Sequence, residues 1–384
     1  MKLVKTFAIL CLGALLVGCG APDSGSNESG LWLSLDKADI YNNNGATEDG
    51  IAHFTLKYNG AVLSPNDYEL YTTDWDEVYG GIYTSENKGT VTFFAQYGTL
   101  QSNHVSLTVV ATPPAAPAAP VDNNPSNLNF NRRVLLAQFT GTACSNCPHM
   151  INALYEIVND EAYKDMNYDS KIAIAAAHIG YYAVNSKGAM EKELTFEDAY
   201  NVPYYPYIIA DLKRNVGDVK SNAPFVANMV NTALSRVAVK GGIAVNSKYH
   251  AEEEYIVLTA AVKAKESTEF RIGAMLLEDD IQMPQSIAGD VQKNPNINYN
   301  MHENCIRRIR GKQTDHDFSG FTLGYIASGE STTKDFAFPL LKTWNPEKLR
   351  LLVYISTKEA DGKWYVNNVV KASIDGETDF EYAE

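Results

Sequence analysis

Two cysteines separated by two residues are the part of this sequence whose residue types and spacing point most directly to chemistry. The stretch Cys144-Ser145-Asn146-Cys147 follows an apolar run from Val134 to Phe139. A thiolate is a nucleophile and a metal ligand, and a C-x-x-C pair can close a disulfide or bind a soft metal. The apolar run has a β-branched start, and it predicts a buried strand that leads into the cysteines.

The residues after the second cysteine predict an amphipathic helix. Apolar positions recur there at helical spacing: Met150, Ile151, Leu154, Ile157 and Val158. The pattern places Cys144 in the first turn and Cys147 one turn further in. Unpaired N–H groups at a helix start favour the thiolate form of an exposed cysteine, and the first turn also tolerates Pro148.

Further strands and helices alternate around this helix. The segment Lys171–His178 contains a continuous apolar run, which predicts a second, buried strand parallel to the first. Pro224 opens a helical pattern that predicts a closing helix over the sheet. Its apolar positions are Phe225, Met229, Val230, Leu234 and Val237. Alternating strands and helices indicate an α/β layer.

Two stretches of this region resemble the paired signatures of the thioredoxin fold. They are Val134 to Pro148, and Tyr200-Asn201-Val202-Pro203-Tyr204-Tyr205-Pro206-Tyr207-Ile208-Ile209. The resemblance covers residues 132–240 and implies a cis proline at Pro206 that faces the cysteines, with Tyr205 presenting its backbone to a thiol partner. It also implies a disulfide between Cys144 and Cys147, with Cys144 as the attacking thiol and Cys147 as the resolving one.

The chain departs from the thioredoxin pattern close to the cysteines. Ala143 stands where thioredoxins have a tryptophan, and Gln138 stands where they have a buried carboxylate that helps take the proton from the inner thiol. Ser145-Asn146 is neither the Gly-Pro of reducing members nor the Pro-His of strong oxidants. The direction of electron flow is therefore open.

Two other uses of the cysteine pair also stay open. A structural disulfide across so short a loop would contribute little loop-closure entropy, which favours a functional pair. His149 and His178 could supply soft ligands for copper or zinc, as in copper-chaperone relatives of thioredoxin. Neither histidine has a helical or hairpin spacing to the cysteines, so we predict no metal and no cofactor.

The first residues predict a secretory signal. Two lysines precede the apolar run Phe7–Val17, which leads into Gly18-Cys19 and is far shorter than the ~20 residues of a membrane span. This ending resembles a bacterial lipobox, which implies cleavage of residues 1–18, lipidation of Cys19 and a stable membrane anchor. Residues 19–30 then form a polar tether.

Composition limits the classes of partner. The 384-residue chain exceeds a typical core of ~100–200 residues, so two or three domains are expected. Its net charge of −14 argues against nucleic acid as a partner. Of its 5 cysteines, Cys144, Cys147 and Cys305 remain beyond the leader and the lipidation site. So few thiols exclude a disulfide scaffold.

Residues 31–111 alternate apolar and polar positions in short stretches, with a hairpin signal at Asn59-Gly60. This pattern predicts a β-sandwich. The segment Lys88–Val109 resembles the last two strands of bacterial immunoglobulin-like domains, which implies a spacer or, alternatively, an adhesive domain. The linker 112–131 is rich in proline and alanine, and it predicts an extended, semi-rigid spacer.

Residues 241–384 return to a strand-forming pattern and predict a second β-sandwich. Asp361-Gly362 marks a hairpin between the last two predicted strands. The strand candidates are Gly242–Ser247, Glu254–Lys265, Glu269–Leu277, Asp335–Leu340, Leu349–Ser356 and Trp364–Ser373.

Two segments of the C-terminal half, together with the lipobox and the thioredoxin-like region, are similar to the outer-membrane-protein-28-related lipoproteins. The segments are Tyr299-Asn300-Met301-His302-Glu303-Asn304-Cys305-Ile306-Arg307-Arg308 and Trp344-Asn345-Pro346. The resemblance covers residues 132–375 and implies an outer-membrane location. Cys305 stands where the family often has a histidine. Both a buried, inert thiol and a thiol that pairs with a substrate or with Cys144 remain open.

The residues and the resemblances together predict a multidomain outer-membrane lipoprotein. It comprises an N-terminal immunoglobulin-like β-sandwich, a central α/β thioredoxin-like domain and a C-terminal β-sandwich. The expected function is thiol–disulfide exchange on exported proteins, from a lipid-anchored position on the periplasmic or the cell-surface face. The alternative is a non-catalytic binding or adhesion lipoprotein that keeps the thioredoxin fold as a scaffold.

Overall fold

The computed structural model describes residues 30–37, 39–178, 194–214, 218–311 and 317–383. The predicted signal and Cys19 lie outside the described residues. Strands dominate the described part and form five sheets, with few helices, so the chain is β-rich as predicted. Within that part, no helix is long and apolar enough to cross a membrane.

The described residues before the linker form a unit of short strands. These are β1 to β10: Leu31–Leu35, Asp39–Tyr41, Ala52–Tyr58, Ala61–Val62, Glu69–Thr72, Glu77–Val78, Ile82–Tyr83, Gly89–Tyr97, Leu100–Gln101 and Val105–Val110. One sheet has the order β1-β3-β4 with β7 beside β3, and the other has the order β2-β10-β8-β5-β6 with β9 beside β8. Leu33, Leu56 and Phe93 are buried in a core that both sheets share. Asn59 and Gly60 have positive φ and connect β3 to β4, which confirms the hairpin signal.

The region of the cysteines alternates strands and helices. Its elements are β11 (Val134–Thr140), α1 (Cys147–Asn159), α2 (Tyr168–Lys171), β12 (Ile172–His178), α3 (Leu194–Ala199), β13 (Tyr207–Ala210) and α4 (Ala223–Arg236). β12 is parallel to β11 and β13 is antiparallel to it, on the other side. Every residue of β11 is buried, which explains its continuous apolar run. The helices α1 and α4 contact each other and pack into the same apolar core.

The C-terminal region consists mainly of longer strands. These are β14 to β24: Gly241–His250, Tyr255–Ala264, Thr268–Glu278, Ile281–Gln282, Met301–His302, Cys305–Arg310, Phe321–Ile326, Ser331–Pro339, Leu349–Lys358, Trp364–Ala372 and Gly376–Thr378. Short 3-10 helices lie at Glu48–Gly50, Glu161–Met166 and Pro346–Lys348. A four-stranded sheet of order β21-β15-β14-β24 shares an apolar core with β16 and β22. Each predicted strand of this half is present, and the turn at Gly362 joins β22 to β23.

One sheet runs through both the cysteine region and the C-terminal region. Its order is β13-β11-β12-β19-β16-β22-β23, with β20 beside β16. The joint is the parallel pairing of β12 with β19, where Ala176 lies opposite Cys305. An unpaired edge of β12 would expose its N–H and C=O groups, and β19 covers that edge. Residues on the two sides of position 240 therefore belong to one continuous sheet.

The linker 112–131 is held along the C-terminal sheet. Thr259 on β15 donates a hydrogen bond to the carbonyl of Pro117 at 2.6 Å. Lys263, also on β15, is buried and forms an ion pair with Asp122 at 2.7 Å. It also donates to the carbonyl of Pro125 at 2.6 Å. The linker, predicted as an extended, semi-rigid spacer, is thus fixed to β15 at these residues.

Asp211 is fully buried and connects three parts of the fold. One carboxylate oxygen accepts hydrogen bonds from Arg132 at 2.7 Å and Arg236 at 3.2 Å, and the other accepts from the backbone N–H of Leu135 at 3.1 Å. Burial raises the pKa of Asp211, and the two arginines oppose this shift. Arg236 also donates to Glu359, just after β22, at 3.0 Å. This buried ion cluster ties the start of β11 to α4 and to the C-terminal strands.

We expect Asp211→Ala to lower the free energy of unfolding by about 3 kcal/mol, since it removes one partner from a buried ion cluster. The measurement is urea unfolding of the chain without its leader. The matched control is Lys164→Ala, which breaks an exposed pair with Glu161 and should change the free energy by less than about 1 kcal/mol. Equal effects of the two substitutions would contradict the structural role of the cluster.

Candidate functional site

The cysteine pair lies just beyond the carboxyl end of β11. The backbone N–H of Cys144 donates to the carbonyl of Gly141 at 3.1 Å, and the N–H of Cys147 donates to the carbonyl of Cys144 at 3.2 Å. Helix α1 begins at Cys147, with Asn146 as its N-cap residue and Pro148 in its first turn. The expectation that Cys144 lies within the helix is therefore wrong, because two tight turns precede the first helical residue.

The two cysteines form a disulfide whose ends differ in exposure. Their Cα atoms are 5.4 Å apart. Cys144 is 6% exposed to solvent, whereas Cys147 is 0% exposed. Both cysteines are thus largely buried, and the small exposed fraction belongs to Cys144.

The Tyr205–Pro206 segment lies at the same end of the sheet as the cysteine loop. Tyr207 on β13 lies opposite Phe139 on β11 in antiparallel register, so the residues just before β13 lie beside the end of β11. The peptide bond between Tyr205 and Pro206 is cis. The Tyr205 hydroxyl donates to Glu197 on α3, and burial raises the pKa of Glu197 to about 7. Strand pairing thus brings the two sequence signatures to the same end of the sheet.

Sequence reasoning missed a segment that covers the cysteine loop. Residues 285–291, called here the covering segment, follow β17 in the chain. The backbone N–H of Ser286 donates to the carbonyl of Thr142 at 2.8 Å, and the N–H of Ala288 donates to the carbonyl of Ser145 at 2.9 Å. The covering segment therefore occupies backbone acceptors on both sides of Cys144.

Gln285 adds a side-chain contact to the same loop. Its amide nitrogen donates to the carbonyl of Cys144 at 2.9 Å and lies 3.4 Å from the carbonyl of Gly141. Gln285 and Cys144 are 141 positions apart in the chain. Nothing in the local sequence around Gln285 indicates this contact, because the segment has neither a strand nor a helix period.

Residues near the covering segment also hold helix α1. The Asn152 side chain donates to the carbonyl of Gln292 at 2.8 Å and accepts from the Tyr299 hydroxyl at 2.5 Å. His149 is half-buried on the same helix, and its Nε2 lies 3.6 Å from the carboxylate of Asp290. The loop between β17 and β18 thus contacts both the cysteine turn and the first half of α1.

The two histidines nearest in type and sequence to a metal-binding role, His149 and His178, lie in different surroundings. His149 approaches Asp290, whereas His178 is buried with its Nε2 3.3 Å from Nδ1 of His302. Burial, followed by the neighbouring His302, lowers the pKa of His178 to about 3, so its imidazole is neutral at pH 7. Among the residues that the structure describes, no group of three or more His, Cys, Asp or Glu side chains could hold a metal ion.

Cys305 is a free, fully buried cysteine at the start of β19. It lies opposite Ala176 of β12, inside the joint of the long sheet. Burial raises the pKa of its thiol, which keeps the thiol protonated. Its surroundings are those of the inert thiol rather than of a reactive one.

Comparisons with known proteins give limited similarity. The family model described as outer membrane protein Omp28 matches residues 193–378, which begin after the cysteine pair. The solved structure of HBP35 of Porphyromonas gingivalis is 17% identical, covers 64% of this chain and 76% of its own, and has a TM-score of 0.49. The sporulation control protein Spo0M from Bacillus subtilis is 12% identical, covers 38% of this chain and 50% of its own, and has a TM-score of 0.21. Comparison with curated proteins gave no match.

The covering segment predicts a measurable effect on access to the disulfide. We expect Gln285→Leu to speed reduction of the Cys144–Cys147 bond by dithiothreitol about tenfold, since losing ~1.4 kcal/mol of hydrogen bonding shifts an opening equilibrium by that factor. The rate is read by trapping the released thiols with a maleimide and measuring the added mass. Gln292→Leu, the same change at an exposed position nearby, is the control, and equal rates in both variants would exclude a covering role for Gln285.

Proposed function

We propose that this chain exchanges thiols and disulfides with exported proteins through Cys144 and Cys147. The observation that carries the proposal is the unequal exposure of the two cysteines at the start of α1. Attack and resolution are separate steps, and they need one sulfur that a partner can reach and a second one held behind it. The small exposed fraction of Cys144, against none for Cys147, supports assigning the first role to Cys144 and the second to Cys147.

The proposed exchange has two steps, over which the bonds formed and broken and the electrons transferred balance. The thiolate of Cys144 attacks one sulfur of a partner disulfide, which forms a mixed disulfide and releases one partner thiolate. The thiolate of Cys147 then attacks the Cys144 sulfur, which closes the Cys144–Cys147 bond and releases the second partner thiolate. The partner gains two electrons and the chain loses two. The reverse sequence oxidises a partner dithiol, and the choice between the two directions depends on the partner's reduction potential.

The proposal includes a thioredoxin-like arrangement for residues 132–240. The parallel pair β11 and β12, the antiparallel β13, and the helices α1 and α4 support it. The position of the Tyr205–Pro206 segment beside the end of β11 supports it too. In this proposal the backbone at Tyr205 and Pro206 positions the partner chain next to Cys144. Gln138 takes the place of a proton acceptor, so water or the partner must take the proton from Cys147.

The Cys147→Ser variant tests the exchange by stopping it after the first step. We expect it to accumulate mixed disulfides with envelope proteins, because the resolving thiol is gone while Cys144 still attacks. These adducts appear as bands of higher mass on a non-reducing gel and disappear with reductant. The double variant, with Cys144→Ser added, keeps Cys305 and serves as the control. The same adducts in the double variant would rule out Cys144 as the attacking group.

We also propose that lipidated Cys19 anchors the chain to the outer membrane, on its periplasmic or its cell-surface face. The lipobox and the match to a family described as outer membrane protein Omp28 support this location. Several acyl chains on one cysteine give stable anchoring without a membrane-spanning helix.

Cys19→Ser tests the anchor. We expect this substitution to move the chain from the membrane fraction to the soluble fraction of the envelope and to abolish incorporation of labelled palmitate, because Cys19 is the proposed site of acylation. The control is Cys305→Ser, which removes a thiol outside the leader and should leave fractionation and labelling unchanged. Labelling that persists in the Cys19→Ser variant would contradict the assignment.

A second candidate function is binding or adhesion by the N-terminal β-sandwich, with the cysteine region as a scaffold. Large aromatic side chains that face solvent favour it: Trp75 is 63% exposed and Tyr79 is 72% exposed. Trp75 also packs edge-on against Phe94 with ring centroids 5.0 Å apart, which holds it in place. Exposed aromatic residues of this kind are enriched in protein interfaces. On this hypothesis the double cysteine variant keeps its full function.

A further inference from the structure

A cavity of about 740 Å³ lies between helix α1, the long sheet and the turn that leads into β18. This volume falls in the range of sites that hold small molecules, roughly 300–1,000 Å³. The described residues that line it do not include Cys144 or Cys147. The cavity is therefore a candidate site separate from the disulfide.

The floor of the cavity is one face of the paired strands β11 and β12. Gln138 and Thr140 line it from β11, and Ala176 and His178 line it from β12. In register, Gln138 lies opposite Ala176 and Thr140 opposite His178. Alternate residues of a strand point to the same face, so the polar groups of Gln138 and His178 are diagonal neighbours on this floor.

Gln138 brings an unused hydrogen-bond donor to the floor. Its side chain is 5% exposed, and its amide nitrogen has no hydrogen-bond partner among the described residues. A buried donor that stays unpaired destabilises the fold, and nearly all such donors in proteins have a partner. A ligand with a hydrogen-bond acceptor inside the cavity would pair with the Gln138 amide nitrogen.

His178 brings an unused acceptor, and its tautomer follows from its neighbours. The Nε2 of His302 lies 3.1 Å from the carbonyl of Met283, which can only accept, so this nitrogen carries the proton. The Nδ1 of neutral His302 is then an acceptor for Nε2–H of His178 at 3.3 Å. Since burial lowers the pKa of His178 to about 3, its Nδ1 carries no proton. This nitrogen makes no hydrogen bond of normal geometry among the described residues, although the ring also lies near the backbone of Ala176.

The remaining walls of the cavity are mainly apolar. They include side chains from α1, from β12 and from the turn before β18: Ile151, Leu154, Val158, Ile172, Ile174 and Ile297. Ile174 lies in the middle of a buried strand and is still only partly buried, because it faces this space. The walls fit the apolar body of a ligand.

The charges at the mouth of the cavity do not favour a charged ligand. Arg350 forms an ion pair with Asp279 at 2.6 Å, and Lys371 lies 3.6 Å from the carboxylate of Asp169. Burial raises the pKa of Glu303 to about 7, so this carboxyl group is only partly ionised at neutral pH. The cations named here are already neutralised, and an anionic head would have to displace their partners.

We propose that this cavity binds an uncharged small molecule that has an apolar body and a hydroxyl or carboxamide head. The head accepts a hydrogen bond from the Gln138 amide nitrogen and donates one to Nδ1 of His178. A hydroxyl or a carboxamide can do both at once, whereas a carboxylate only accepts and an ammonium only donates.

Four probes with the same apolar chain and different heads test the proposal. Isothermal titration calorimetry of the chain without its leader at pH 7 compares octan-1-ol, octanamide, octanoate and octylammonium. We expect the alcohol and the amide to saturate one site, and the two ions to bind at least about tenfold more weakly, because a buried charge without a partner is unfavourable. The absence of saturable binding by the alcohol and the amide, or equal binding by octanoate, would overturn the proposal.

Two variants and one control test the site itself. Gln138→Leu should weaken octan-1-ol binding about fivefold through the loss of one hydrogen bond, and Ile151→Trp should abolish it by filling the cavity from the half-buried face of α1. Asn296→Leu makes the same amide-to-leucine change at the exposed mouth and should leave binding unchanged. Unchanged binding in both Gln138→Leu and Ile151→Trp would overturn the proposed site.

Discussion

The parallel pairing of β12 with β19 is the constraint on which the arrangement of the site depends. It joins the cysteine region to the C-terminal strands in one sheet, with Ala176 opposite Cys305 at the joint. The chain between β17 and β18, which leads into this joint, passes over the end of the sheet where the cysteines lie. The Asp211 ion cluster secures the opposite end of β11. Contacts therefore hold β11 at its start and the cysteine loop just after its end.

The loop between β17 and β18 has two consequences for function. Its first part, the covering segment, donates hydrogen bonds to the cysteine loop, and its second part lines one side of the cavity at Asn296 and Ile297. Three hydrogen bonds at about 1 kcal/mol each would set a modest free energy for opening the covering segment. Such a value is compatible with a disulfide that is shielded at rest and reached by a partner that displaces the segment. One loop thus contacts both the cysteine turn and the cavity.

Sequence patterns predicted the local elements because those elements depend on neighbouring residues. The strand Val134–Thr140, the amphipathic helix after Cys147 and the turn at Asn59-Gly60 follow from apolar periods and turn residues. The covering segment and the Asp211 cluster were missed because their partners lie far apart in the chain and carry no periodic signal. Asp211, for example, meets Leu135 across 76 positions. The contact of Gln285 with the cysteine loop is a tertiary feature of the same kind.

The central claim is that Cys144 is a reactive thiol in the folded chain, which differential alkylation measures directly. The chain without its leader is reduced and treated with iodoacetamide for increasing times at several pH values, and peptide masses then give the rate at each cysteine. If the pair is a redox site, Cys144 is alkylated much faster than Cys147 and Cys305. The Cys144–Cys147 disulfide then also re-forms when the reduced chain is treated with glutathione disulfide. If Cys144, Cys147 and Cys305 all react at one slow rate set by unfolding, the pair is a structural disulfide and the exchange function is wrong.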